Sequence, residues 1–119
     1  MKKITQDNDQ KFNDVTAEEA KGMVEGEYTV LDVRNPDEYE WKRIPGVDHL
    51  IPVEILPDRV SELEGEKLLV YCHSGSRSQD ACEFLSNLEH FEEVHNLEGG
   101  VMAWDENYRT EGDPSVDLV

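Results

Sequence analysis

Cations are scarce in this chain of 119 residues: 6 Lys and 5 Arg stand against 17 Glu and 11 Asp, a formal net charge of −17. Phosphate contacts supply most of the affinity for nucleic acid, so a surface of this sign repels DNA and RNA. Long apolar runs are missing too. No stretch approaches the roughly 20 residues of a membrane span, and the opening MKKITQDNDQ has two lysines with no apolar segment behind them. These absences predict a cytoplasmic protein with no membrane segment and no direct nucleic-acid partner. With only Cys72 and Cys82 present, a disulfide framework and a four-thiolate metal site are excluded. His49, His90 and His95 are scattered without ligand spacing, so neither a metal nor another cofactor is expected.

What is there in quantity is acid. Hydrophobic residues make up 37% of the chain and charged ones 33%, but the apolar residues cluster into blocks that can be buried, which predicts a folded domain rather than disorder. Life at very high salt explains such a surface, because the Debye length shrinks to about 3 Å at 1 M and like charges stop repelling. A halophile is the first reading. An acidic protein from ordinary conditions, or one with a basic partner, would carry the same composition.

One domain fits this length. Residues 1–11 and 111–119 are polar or broken by Gly and Pro and read as flexible ends, leaving a domain over 12–110. Residues 12–15 suit a short edge strand, and Thr16-Ala-Glu-Glu19 is a capping box that starts a helix to about Val24. Residues 28–33 form a β-branched apolar run that ends at Asn35-Pro36 and delivers Asp32 and Arg34 to a loop, where a salt bridge explains them better than substrate contact. Pro36 then opens a short helix in which Tyr39 and Trp41 are candidates to pack inward. A short extended piece over 47–53 and a helix over 55–63 follow, ended by Gly65. Residues 67–71 are the clearest buried strand and 81–88 carry a helical apolar stripe. Residues 92–96 form a last strand, with Glu92-Glu93 as a solvated pair, and Gly99-Gly100 introduces a final helix holding Val101 and Trp104. This alternation predicts an α/β fold, a central mostly parallel sheet with helices on both faces and ligands beyond the carboxyl ends of the strands.

Cys72 lies at such an end, followed by His73, Ser74, Gly75, Ser76, Arg77 and Ser78. Thiol chemistry needs the thiolate, and a loop of small residues running into a helix can turn successive N–H groups inward to hold negative charge. Arg77 adds a cation able to grip two oxygens of an anionic donor. An inert core cysteine needs neither feature. Cys82, ten positions on, reads as a small core residue of the following helix.

Four segments, Leu31-Asp-Val-Arg-Asn-Pro-Asp-Glu-Tyr39, Ile44-Pro-Gly46, Val70-Tyr-Cys-His-Ser-Gly-Ser-Arg-Ser78 and Asn96-Leu-Glu-Gly-Gly-Val-Met-Ala-Trp104, together resemble the successive motifs of single-domain rhodanese-like sulfurtransferases. The resemblance implies a small α/β domain whose cysteine, here Cys72, takes a sulfane sulfur from a small-molecule donor such as thiosulfate. The persulfide then passes it to an acceptor: cyanide, a thiol or an acceptor protein. Residues 73–78 would shape the cradle around that sulfur, and a monomer is the default reading. Lys42-Arg43 stands where the family often has Gly-His. His73 stands where the two-domain, thiosulfate-using rhodaneses have arginine, a departure that bears on the donor.

Two other readings compete. Cysteine phosphatases and arsenate reductases use a Cys-x5-Arg loop sized for a tetrahedral oxyanion, whereas four residues separate Cys72 from Arg77, a loop better fitted to a single sulfur. Rhodanese-like domains that lack the cysteine act as docking modules, and Cys72 weakens that alternative.

Overall fold

The computed structural model describes residues 11–118, so the expected N-terminal flexible segment falls, apart from Lys11, outside the described residues. Five strands, β1 (Asn13–Val15), β2 (Thr29–Asp32), β3 (His49–Leu50), β4 (Lys67–Tyr71) and β5 (Glu93–Leu97), form one sheet in the order β1-β5-β4-β2-β3. Among the described residues every strand pairing is parallel, as the predicted class allows. The helices are α1 (Ala17–Val24), α2 (Pro36–Trp41), α3 (Leu56–Arg59), α4 (Ser76–Asn87) and α5 (Gly100–Asp105).

Alternation along β4 divides the core. Leu68, Val70 and Cys72 face one cluster with Ala81, Cys82 and Leu85 of α4 and Leu56 of α3, while Leu69 and Tyr71 face another with Ala20 of α1 and Val101 and Trp104 of α5. Both faces of the sheet are thus covered, as a parallel sheet requires. Thr16 caps α1 in the predicted box, its hydroxyl accepting from Glu19 N–H and the Glu19 carboxylate accepting from Thr16 N–H.

Local expectations fail in four places. The helix expected over 55–63 is broken into 3-10 turns at Val53–Ile55 and Val60–Glu62 around a four-residue α3; Pro57, which has no N–H to bond the Val53 carbonyl, separates the first turn from α3. Tyr39 and Trp41 are half-buried rather than core: Arg43 stacks over the Tyr39 ring at 4.5 Å, and Trp41 lies against the His73 ring at 6.4 Å. Leu88, placed in the apolar stripe of α4, is 43% exposed. Glu93 is not simply solvated, since it accepts the Tyr28 hydroxyl and sits 2.9 Å from His95 Nε2.

The segment after residue 110 has defined partners. Arg43 and Glu111 exchange backbone hydrogen bonds at 2.8 Å, and Asp113 N–H donates to the Glu40 carbonyl. Among the described residues no helix is long and apolar enough to cross a membrane.

Candidate active site

Strand β4 ends at Tyr71, so Cys72 is the first residue past the carboxyl edge of a central strand, where a parallel sheet opens its crevice. Its side chain is buried, and its sulfur accepts from Gly75 N–H at 3.1 Å and faces the Ser78 hydroxyl at 3.3 Å. Gly75 adopts a φ of +110°, a left-handed turn that a residue with a Cβ resists, and this turn folds the N–H back onto the sulfur. Helix α4 begins at once with Ser76, so its first N–H groups have no partner within the helix and its positive end borders the thiol.

The loop is pinned from below by α5. Val101 N–H donates to the Cys72 carbonyl at 2.9 Å and Met102 N–H to that of His73 at 3.3 Å. A Cβ on Gly100 would lie 2.4 Å from the His73 carbonyl oxygen, so Gly100 is required by close approach of backbone to backbone, whereas a Cβ on Gly99 would meet the Ala103 side chain at 2.7 Å.

The structure gathers the predicted cradle only in part. Cys72, Gly75 and Ser78 meet at the sulfur. Ser74 and Ser76 are exposed, His73 leans towards Trp41, and Ser74, Gly75 and Ser76 line a pocket of about 230 Å³ together with Gln79, Asn96 and Glu98. Arg77 is turned to a carboxylate: its two terminal nitrogens donate to the two oxygens of Glu38 at 2.9 and 2.8 Å. That guanidinium holds the Glu38 carboxyl far below the usual range, at about 2, against the opposing effect of burial and with help from Asn35 N–H. Burial pushes the Cys82 thiol well up, and the charges of Asp14 and Cys72 add to the shift.

Asp32 and Arg34 form a separate, fully buried pair. Arg34 Nε and one terminal nitrogen donate to the two Asp32 oxygens at 2.9 and 2.8 Å, the same nitrogen reaches the Lys42 carbonyl at 2.7 Å, and Tyr71 donates its hydroxyl to Asp32 at 2.8 Å. This network ties β2, β4 and the chain after α2 together, a structural task.

Sequence reasoning missed Glu38 and Asn96. The spacing from Asn35 to Glu38 signals a helix cap, a task Glu38 also performs through Asn35 N–H at 3.0 Å, and so hid the ion pair. Asn96 accepts the Ser78 hydroxyl and donates to Asp14 at 2.9 Å. A polar residue at an inward position of a strand was the available signal.

The Cys72 thiol thus lies at the crevice of a parallel sheet, met by a backbone N–H and a hydroxyl at a helix start. The rhodanese-like domain matches residues 16–107, and the chain belongs to that family. It is 32% identical to the thiosulfate sulfurtransferase GlpE of Pseudomonas fluorescens over 101 residues, 84% of this chain and 91% of that protein. A sulfurtransferase of Allochromatium vinosum is 37% identical over 76 residues, 63% of this chain and 69% of that one. The crystal structure of a rhodanese-related protein from Thermoplasma volcanium superposes with a TM-score of 0.75 at 34% identity, covering 84% of this chain and 98% of the other.

Proposed function

We propose that this protein is a sulfurtransferase that carries sulfane sulfur as a persulfide on Cys72. The observation that supports it most directly is the Gly75 N–H aimed at a buried sulfur at the start of α4, with the Ser78 hydroxyl oxygen 3.3 Å from that sulfur. In the first step the Cys72 thiolate attacks the outer sulfur of a donor. With thiosulfate, a sulfur–sulfur bond forms to Cys72 as the donor's own breaks, and sulfite leaves with the electron pair. In the second, a thiophilic acceptor, cyanide or a thiol, attacks the outer persulfide sulfur and releases the Cys72 thiolate. No general base is needed once the thiol is ionised, and the donors of the loop hold the negative charge on the terminal sulfur. Donor hydrogen bonds and the end of α4 supply the electrostatics, and the reading calls for no metal or organic cofactor.

Intact mass tests this reading. Reduced protein incubated with excess thiosulfate in molar salt should gain about 32 Da, one sulfur, and Cys72→Ser should gain none. Cys82→Ser should retain most of the transfer, since the Cys82 thiol is held protonated by burial. Absence of any gain in the wild type with thiosulfate, 3-mercaptopyruvate and a low-molecular-weight persulfide alike would overturn the proposal.

A further inference from the structure

The cation expected to receive an anionic donor is already occupied. Both terminal nitrogens of Arg77 are taken by Glu38, which is further held by Asn35 N–H and lies in the field of Arg34, itself fixed to Asp32. Charges therefore alternate outward from the core, Asp32, Arg34, Glu38, Arg77, and cancel. The two cations that follow α2 are also engaged, Lys42 by Asp105 at 2.7 Å and Arg43 by Glu111 at 3.8 Å. Glu54 is exposed and adds a further negative charge felt by Arg77. A dianion approaching Cys72 thus meets a neutralised arginine on a chain of net charge −17.

We infer that Glu38 is a donor-specificity residue, one that closes Arg77 to dianions such as thiosulfate and leaves Cys72 to take sulfur from a thiol-borne persulfide. This rests on the sulfurtransferase reading above and narrows its donor. The preferred step is balanced without an oxidant: Cys72 thiolate attacks the outer sulfur of R–S–SH, the new sulfur–sulfur bond forms as the old one breaks, and R–S⁻ leaves with the electron pair. The outer sulfur of such a donor carries at most one charge, so it has less need of a free guanidinium.

The test follows the rate of the gain of about 32 Da in wild type, Glu38→Gln and Arg77→Gln, each with thiosulfate and with 2-hydroxyethyl persulfide. Glutamine keeps the oxygen that accepts from Asn35 N–H, so α2 retains its cap. In Glu38→Gln, Arg77 loses the opposing charge and the bond to Oε2, keeping at most the one to Oε1, so it should raise the rate with thiosulfate about tenfold while the persulfide rate stays within about twofold; Arg77→Gln, with Glu38 uncompensated, should slow thiosulfate below wild type. An unchanged or lower thiosulfate rate in Glu38→Gln, or a parallel fall with both donors, would make the pair a loop tether and overturn the inference. If neither donor loads wild-type Cys72, the sulfurtransferase reading itself falls and takes the inference with it.

Discussion

Arg34 and Arg77 each grip one carboxylate through two nitrogens at nearly the same distances, yet they occupy opposite environments. Arg34 and Asp32 have side-chain exposures of 0% and 0%, whereas Arg77 and Glu38 have 34% and 17%. In the core, the guanidinium also holds the Lys42 carbonyl and stacks over Tyr71 at 5.3 Å, so no water or ligand can replace Asp32. The Arg77–Glu38 pair is reached by solvent, and Arg77 lies in the field of Cys72. The same pair chemistry is desolvated where solvent is excluded and screened where it is not.

The largest expected effect is at the buried pair. Arg34→Ala leaves Asp32 buried and unpaired beside Tyr71, and the urea midpoint should report a loss of about 3–5 kcal/mol. A loss below about 1 kcal/mol would erase the distinction between the two pairs. At the solvent-reached pair, acid should resolve Glu38. Its carboxyl is depressed to about 2, so its contribution is complete above the unfolded value of about 4.3 and is lost as the pH falls towards 2. Discounted for the partly open Arg77, that contribution is about 1–2 kcal/mol, and Glu38→Gln should flatten this part of the stability profile between pH 4.3 and 2. Smallest is the exposed pair on α1, Lys21 and Glu25 at 3.0 Å, where Lys21→Ala should change stability by less than about 0.5 kcal/mol. Salt sharpens the series. In molar KCl the Arg34→Ala loss should persist while that of Lys21→Ala vanishes, and a parent midpoint that does not rise would remove the high-salt explanation of the acidic surface.

Much of this architecture was legible because it is written in local periodicity. The apolar run at 67–71, the Thr16 box and the small-residue loop after Cys72 each state their own structure, and their alternation implies parallel strands with the thiol at a carboxyl edge. Burial of Cys82 and Trp104 follows from their place on amphipathic helices. The partner of Arg77 was not legible. Glu38 lies 39 positions away, and only the pairing of β2 with β4, whose carboxyl ends lead towards α2 and α4, brings the two together. Asn96 likewise reaches Ser78 and Asp14 across 18 and 82 positions, through the neighbouring of β1 and β5 in the sheet. The sequence by itself determined the element order, the parallel class of the sheet and the place of Cys72 at a carboxyl edge, since these depend on spacing and residue type along the chain. Which carboxylate meets which arginine, and so what charge an incoming donor meets, was decided only by the tertiary structure, because Coulomb energy depends on distance and solvent access in space.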